Sequence, residues 1–108
     1  MAEELSHPQK MIGDLAPKLT EISDELLYGD IWERPGLSKR DRSLITVAAL
    51  TALYRTEQLG FHLTLALKNG VTSDELLEAF THLAFYSGWP TSVTGITHLR
   101  SVLDGDDA

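Results

Sequence analysis

The sequence predicts an all-α fold, a small bundle of about five to six helices, on three observations. Apolar residues return at the 3.6-residue period in segment after segment. Glycine, proline and cap-forming serine or threonine stand at the ends of those segments. No stretch alternates apolar and polar residues as a half-buried strand does. The 108 residues suit one domain, 1–108, with a helical core over 8–103 and an acidic tail, 104–108 (DGDDA), expected to be disordered. A chain of this size buries only about 60 to 70 per cent of its unfolded surface, so the core is thin and a homo-oligomer is expected.

The elements follow in order. From Pro8 to Tyr28, Met11, Ile12, Leu15, Leu19, Ile22, Leu26 and Leu27 keep the helical period and Gly29 ends the run. Pro17 lacks a backbone donor and clashes with the preceding turn, which predicts a kink or a split there. IWERPGL reads as a loop turning at Pro35-Gly36. Ser38, with Asp41 three residues on, caps a second helix running to about Tyr54. Its stretch LITVAALTAL is apolar on nearly every side, which predicts the central, most buried element. Thr56 is placed to cap a third helix, ending at Asn69-Gly70 in a glycine stop. Thr72 and Glu75 spell a capping box for a fourth helix, which carries Leu76, Leu77, Phe80, Leu83 and Ala84 and stops at Gly88. A fifth helix, from about Thr91 to Leu103, is expected at the periphery.

Composition removes whole classes of chemistry. No cysteine is present, which excludes disulfides, thiolate metal sites and thiol nucleophiles. A net charge of −7 without a long basic run argues against nucleic acid and against an anionic membrane surface. No run of 18 apolar residues occurs and the N-terminus lacks a leader pattern, so a cytoplasmic protein is expected. Metal-ligand spacings (HExxH, HxxxH, HxH), GxGxxG, the P-loop and GxSxG are all missing.

Two groups of residues stand out. Arg34, Lys39, Arg40 and Arg42 are four of the nine basic residues. Three of them fall in the first turn of a helix, where the positive end of the dipole opposes cations by about 0.3–1 kcal/mol each. Ion pairing with the N-terminal segment, whose first thirty residues hold seven acids, would explain them. Capture of an anionic small molecule, with the helix amides joining the guanidinium groups, would also explain them. The second group lies in YRTEQLGFH, residues 54–62: Arg55, Gln58 and His62 sit at i, i+3 and i+7, a spacing that ordinarily carries leucines into a core. His62, between Leu59, Leu63 and Ala66, falls at the margin of the apolar face, a position that fits a satisfied core histidine as well as a functional one. His82 forms a local trio with Glu78 and Tyr86 that fits a surface arrangement. His7 and His98 attract no role.

The run from Trp32 to Pro90, WERPGLSKRDRSLITVAALTALYRTEQLGFHLTLALKNGVTSDELLEAFTHLAFYSGWP, resembles the carboxymuconolactone decarboxylase family, which shares its fold with the alkylhydroperoxidase D-like proteins. The most specific pieces are RPGLSKRDRSL, HLTLALKNG with the following VTSDEL, and HLAFYSGWP. The resemblance implies an all-helical subunit assembling into a homotrimer or hexamer with sites near subunit contacts. In the family's peroxide-reducing branch, a C-x-x-C pair falls where this chain has Arg55 and Gln58, a histidine matches His62, and an acidic proton relay falls on Ser43. Without the thiols, peroxidase chemistry is disfavoured and the cysteine-free decarboxylase branch remains.

That branch implies a carboxy-lyase of aromatic degradation: 4-carboxymuconolactone of the protocatechuate pathway loses CO2 to give the enol-lactone of 3-oxoadipate, with no cofactor. The roles expected on that chemistry are His62 as proton donor and acceptor, Gln58 or Arg55 at the developing oxyanion, Arg42 with Arg40 or Arg34 on the remaining carboxylates, and Tyr86 and Trp89 as an apolar wall, with packing as the alternative for each. Two other readings stay open: another cofactor-free lyase or isomerase acting on a small oxo- or hydroxy-acid, and a non-catalytic oligomeric binding protein.

Overall fold

A computed structural model describes residues 6–105, which fall into two compact units, one ending at Leu37 and one beginning at Ser38. Residues 106–108, most of the expected acidic tail, lie outside the described residues; Asp104 and Gly105 form an exposed turn. Among the described residues there are six α-helices and no strand, and no helix is long and apolar enough to cross a membrane.

The first unit holds α1 (His7–Ile12) and α2 (Pro17–Ile22). Pro17 splits the expected long helix outright: it occupies the first helical position of α2, where a missing N–H is harmless. Ser6 and Gln9 close α1 with a capping box. Instead of continuing as an α-helix, α2 widens into a π-helical segment, Ser23–Tyr28, and a 3-10 turn, Ile31–Glu33, follows. Neither departure has a sequence signal in the 3.6-residue pattern. The rings of Tyr28 and Trp32 stack at 5.9 Å, and burial pushes the Tyr28 hydroxyl above its ordinary pKa.

The second unit is a four-helix arrangement of α3 (Lys39–Ala52), α4 (Thr56–Lys68), α5 (Ser73–Leu83) and α6 (Trp89–Leu103). Ser38 Oγ accepts from the Asp41 amide at the start of α3, and the Thr72–Glu75 box opens α5, both as the sequence predicts. Val47, Leu59, Leu63, Ala66, Val71, Leu76, Phe80 and Leu99 form the core. Burying each leucine stabilises the fold by about 1.5–3 kcal/mol relative to exposure.

Two expectations need correction. The most buried helix is α4, not α3: only Ser43, Val47 and Thr51 of α3 are buried, while Ile45, Ala49, Ala52 and Leu53 form an exposed apolar stripe at i, i+4, i+7 and i+8, with Ile45 55 % exposed. Apolar composition on all sides therefore does not mean burial on all sides within one subunit. Helix α6 is not peripheral either, since it packs on α3, α4 and α5. Its closest approach is at Gly95, where an added Cβ would stand 2.6 Å from Phe80 Cε1.

Helices α3 and α4 end in the same motif. At α3 the Arg55 amide donates to the Leu50 carbonyl (2.7 Å) and the Tyr54 amide to Thr51 (3.0 Å). At α4 the Val71 amide donates to Ala66 (2.9 Å) and the Gly70 amide to Leu67 (3.2 Å). The residue turned left-handed is Gly70 (φ 101°) in one and Tyr54 (φ 60°) in the other.

Candidate active site

The α3–α4 junction positions the central part of the site. Because Tyr54 takes a left-handed conformation, the chain reverses within three residues and α4 starts one residue earlier than a Thr56 cap would set it. Arg55 is the N-cap, Thr56 is already helical, and no side chain caps the first turn. Tyr54, Arg55, Thr56, Glu57 and Gln58 line an open polar cleft of about 300 Å³ at the positive end of the α4 dipole. Gln58 and His62 then stand one turn apart on the same strip of α4. His62 is half-buried, its Nδ1 is shielded from solvent, and the Phe61 ring meets it edge-on at 5.1 Å. Arg55 and Gln58 share the cleft, whereas His62 is not on its wall.

The remaining predicted residues are dispersed. Arg40 donates through Nη1 to Asp41 Oδ1 (3.2 Å) and through Nη2 to Glu75 Oε2, tying α3 to the cap of α5. That is ion pairing within the second unit. The Glu75 carboxyl is held below its ordinary pKa by the Thr72 amide first, with the Thr72 hydroxyl and Arg40 adding to it against some desolvation. Arg42 is half-buried on α3, and Arg34 belongs to the first unit. Ser43, where the acidic relay of the peroxide-reducing branch would fall, is fully buried and accepts a hydrogen bond from Asn69 Nδ2 (2.9 Å), so it ties α3 to the end of α4.

Tyr86 and Trp89 do not form one wall. Tyr86 is exposed and stacks on His82 at 4.8 Å, two members of the expected surface trio. Trp89 lines an apolar cavity of about 200 Å³ with Phe80, Phe85, Val93 and Ile96, and Ser92 also lines it. Sequence reasoning missed Tyr54 and Ser92. A tyrosine carries no signal for positive φ, and a serine carries none for a buried hydroxyl left without a partner.

The fold and the cleft define a small all-helical protein whose polar groups gather at a helix start and whose chemistry cannot use thiols. The chain belongs to the carboxymuconolactone decarboxylase family, whose model matches residues 17–99. It is 48 % identical over 81 residues to a 4-carboxymuconolactone decarboxylase of Acinetobacter baylyi, covering 75 % of this chain and 60 % of that protein. It is 38 % identical over 73 residues to a nitrosuccinic acid decarboxylase of Metarhizium robertsii, covering 68 % of this chain and 51 % of that protein. The matched part thus spans between half and three-fifths of the length of these relatives.

Proposed function

We propose that the protein is a cofactor-independent carboxy-lyase acting on a small lactone carboxylic acid of the 4-carboxymuconolactone type. The observation that carries the reading is the polar cleft at the uncapped start of α4, lined by Arg55 and Gln58, with His62 one turn beyond Gln58 on the same strip of the helix. The two relatives support the reaction class, since both are named decarboxylases. In the reaction the bond to the leaving carboxylate breaks, CO2 departs, and its electron pair enters the conjugated lactone carbonyl. The helix amides with Gln58 or Arg55 stabilise the oxyanion, and His62 returns a proton to carbon as the carbonyl re-forms. Arg42, with Arg40 or Arg34 in support, anchors the remaining carboxylate through its guanidinium group.

A second decarboxylase reading has its own support. Nitrosuccinate also carries a group able to accept the electron pair released with CO2, so the shared requirement is a small acid with an internal electron sink, and the substrate of this chain is set within that class. The exposed stripe Ile45–Ala49–Ala52–Leu53 supports assembly into a homotrimer or hexamer, and the same reading assigns the protein to the cytoplasm.

The test mixes purified protein with 4-carboxymuconolactone, and separately with nitrosuccinate, and follows ultraviolet absorbance and CO2. Turnover of one of them, lowered at least about 100-fold in His62→Gln with an unchanged helical circular dichroism spectrum, is the expected outcome. Absence of CO2 from both, or full activity in His62→Gln, overturns the assignment.

A further inference from the structure

Ser92 departs from a pattern kept by threonines of α3, α4 and α5. Within helices, threonine and serine hydroxyls usually donate to the carbonyl four residues earlier; here Thr46, Thr51, Thr64 and Thr81 all do so. Ser92 is 3 % exposed, its Oγ is shielded from solvent, and that oxygen has no hydrogen-bond partner among the described residues. A buried hydroxyl in that condition has lost its hydration without a hydrogen bond to compensate. It lines the apolar cavity beside Phe80, Phe85 and Trp89.

The cavity states what would fit. An apolar cavity of about 150 Å³ takes benzene, so the roughly 200 Å³ here accommodates one six-membered ring with a small substituent. No charged side chain lines it, so an ionised acid would lose its hydration without compensation. Thr81, the other hydroxyl on the wall, already donates to the Leu77 carbonyl at 2.8 Å, which leaves Ser92 as the donor. At the mouth, Phe85 (81 % exposed) and Trp89 (70 % exposed) offer aromatic surface to a flat guest.

We infer that this cavity between the end of α5 and the start of α6 binds a neutral monocyclic compound bearing one oxygen that accepts a hydrogen bond from Ser92 Oγ, phenol being the simplest. The proposal stands apart from the decarboxylase reading, whose substrate is an anion.

The experiment titrates phenol, and toluene as its oxygen-free counterpart, into the full ¹⁵N-labelled chain. Saturable shifts of the Trp89 indole and of the Ser92 and Val93 amides are expected with phenol. Ser92→Ala should weaken phenol by about five-fold or more while leaving toluene within two-fold, because only the hydrogen bond is lost. The variant deletes an unbonded hydroxyl, so its fold is retained, and a matching amide spectrum verifies this. Equal phenol affinity in wild type and Ser92→Ala, or no saturable shift at these signals, overturns the proposal. So does movement of the same signals on dilution of the protein alone, which would give the cavity to a second copy of the chain.

Discussion

The α3–α4 and α4–α5 junctions close with the same pair of backbone hydrogen bonds and are otherwise built in opposite ways. After α4, Gly70 takes the left-handed position without a Cβ to resist it, and Thr72 and Glu75 at once cap the next helix. After α3, the same position falls to Tyr54, and α4 then starts at Arg55 with no side-chain cap. A bulky residue there costs about 1–2 kcal/mol, and a missing cap forgoes about 1 kcal/mol more. One junction is optimised for stability; the other keeps strain and a helix start without a side-chain cap where the polar cleft opens. Strain of this kind persists at sites where it fixes geometry, which is the reading that the following experiments break or sharpen.

The largest expected effect on stability is at the relaxed junction. Gly70→Ala, at φ 101°, should destabilise the fold by about 1–2 kcal/mol, lowering the thermal midpoint by roughly 4–15 °C for a domain of this size, with turnover per folded molecule unchanged. At the strained junction the sign reverses. Arg55→Ser supplies a cap and should stabilise by up to about 1 kcal/mol in thermal unfolding, yet reduce kcat/KM at least ten-fold if Arg55 serves the oxyanion; a stabilised variant with full activity would remove Arg55 from the site. Tyr54→Gly relieves the left-handed strain but gains unfolded-state entropy, so a smaller net gain of about 0.5 kcal/mol is expected. A loss of kcat in that variant, with KM unmoved, would identify the strain as a positioning device.

The smallest effect is electrostatic. The Glu75 carboxyl sits below its ordinary pKa, so its contribution is present above the usual carboxylate range and is lost as pH falls through the lowered value. Thermal midpoints of wild type and Glu75→Gln should therefore differ at pH 6 and converge in acid. A gap that stays constant down to pH 3 would mean that the charge, shared between Thr72 and Arg40, contributes nothing.

What the sequence disclosed and what it hid divide along the same line as the two junctions. Signals that act within four residues were legible: the Pro17 split, the Ser38 cap, the Thr72–Glu75 box and the Gly70 stop each follow from one side chain and its nearest amides. Burial was not, because LITVAALTAL has apolar residues for two faces and only packing decides which one the core takes. The site was half legible. Spacing brought Arg55, Gln58 and His62 into one group, and the structure keeps Gln58 and His62 on one strip of α4. It moves Arg55 off the helical register, through a tyrosine conformation for which no residue preference argues. The Arg40–Glu75 pair was hidden for a similar reason: the two residues lie 35 positions apart, beyond any local rule.

Gly95 has a consequence for how such a chain can diversify. The hydrogen atom standing in for a Cβ at that position is what lets α6 press against Phe80, and the Phe80 ring is a wall of the cavity. The dimensions of the slot are thus governed from behind, by a residue that no guest touches. Positions 80 and 95 form a single unit of variation: a methyl at 95 demands a smaller ring or an aliphatic side chain at 80, and each such exchange resizes the slot while leaving its mouth, Phe85 and Trp89, untouched.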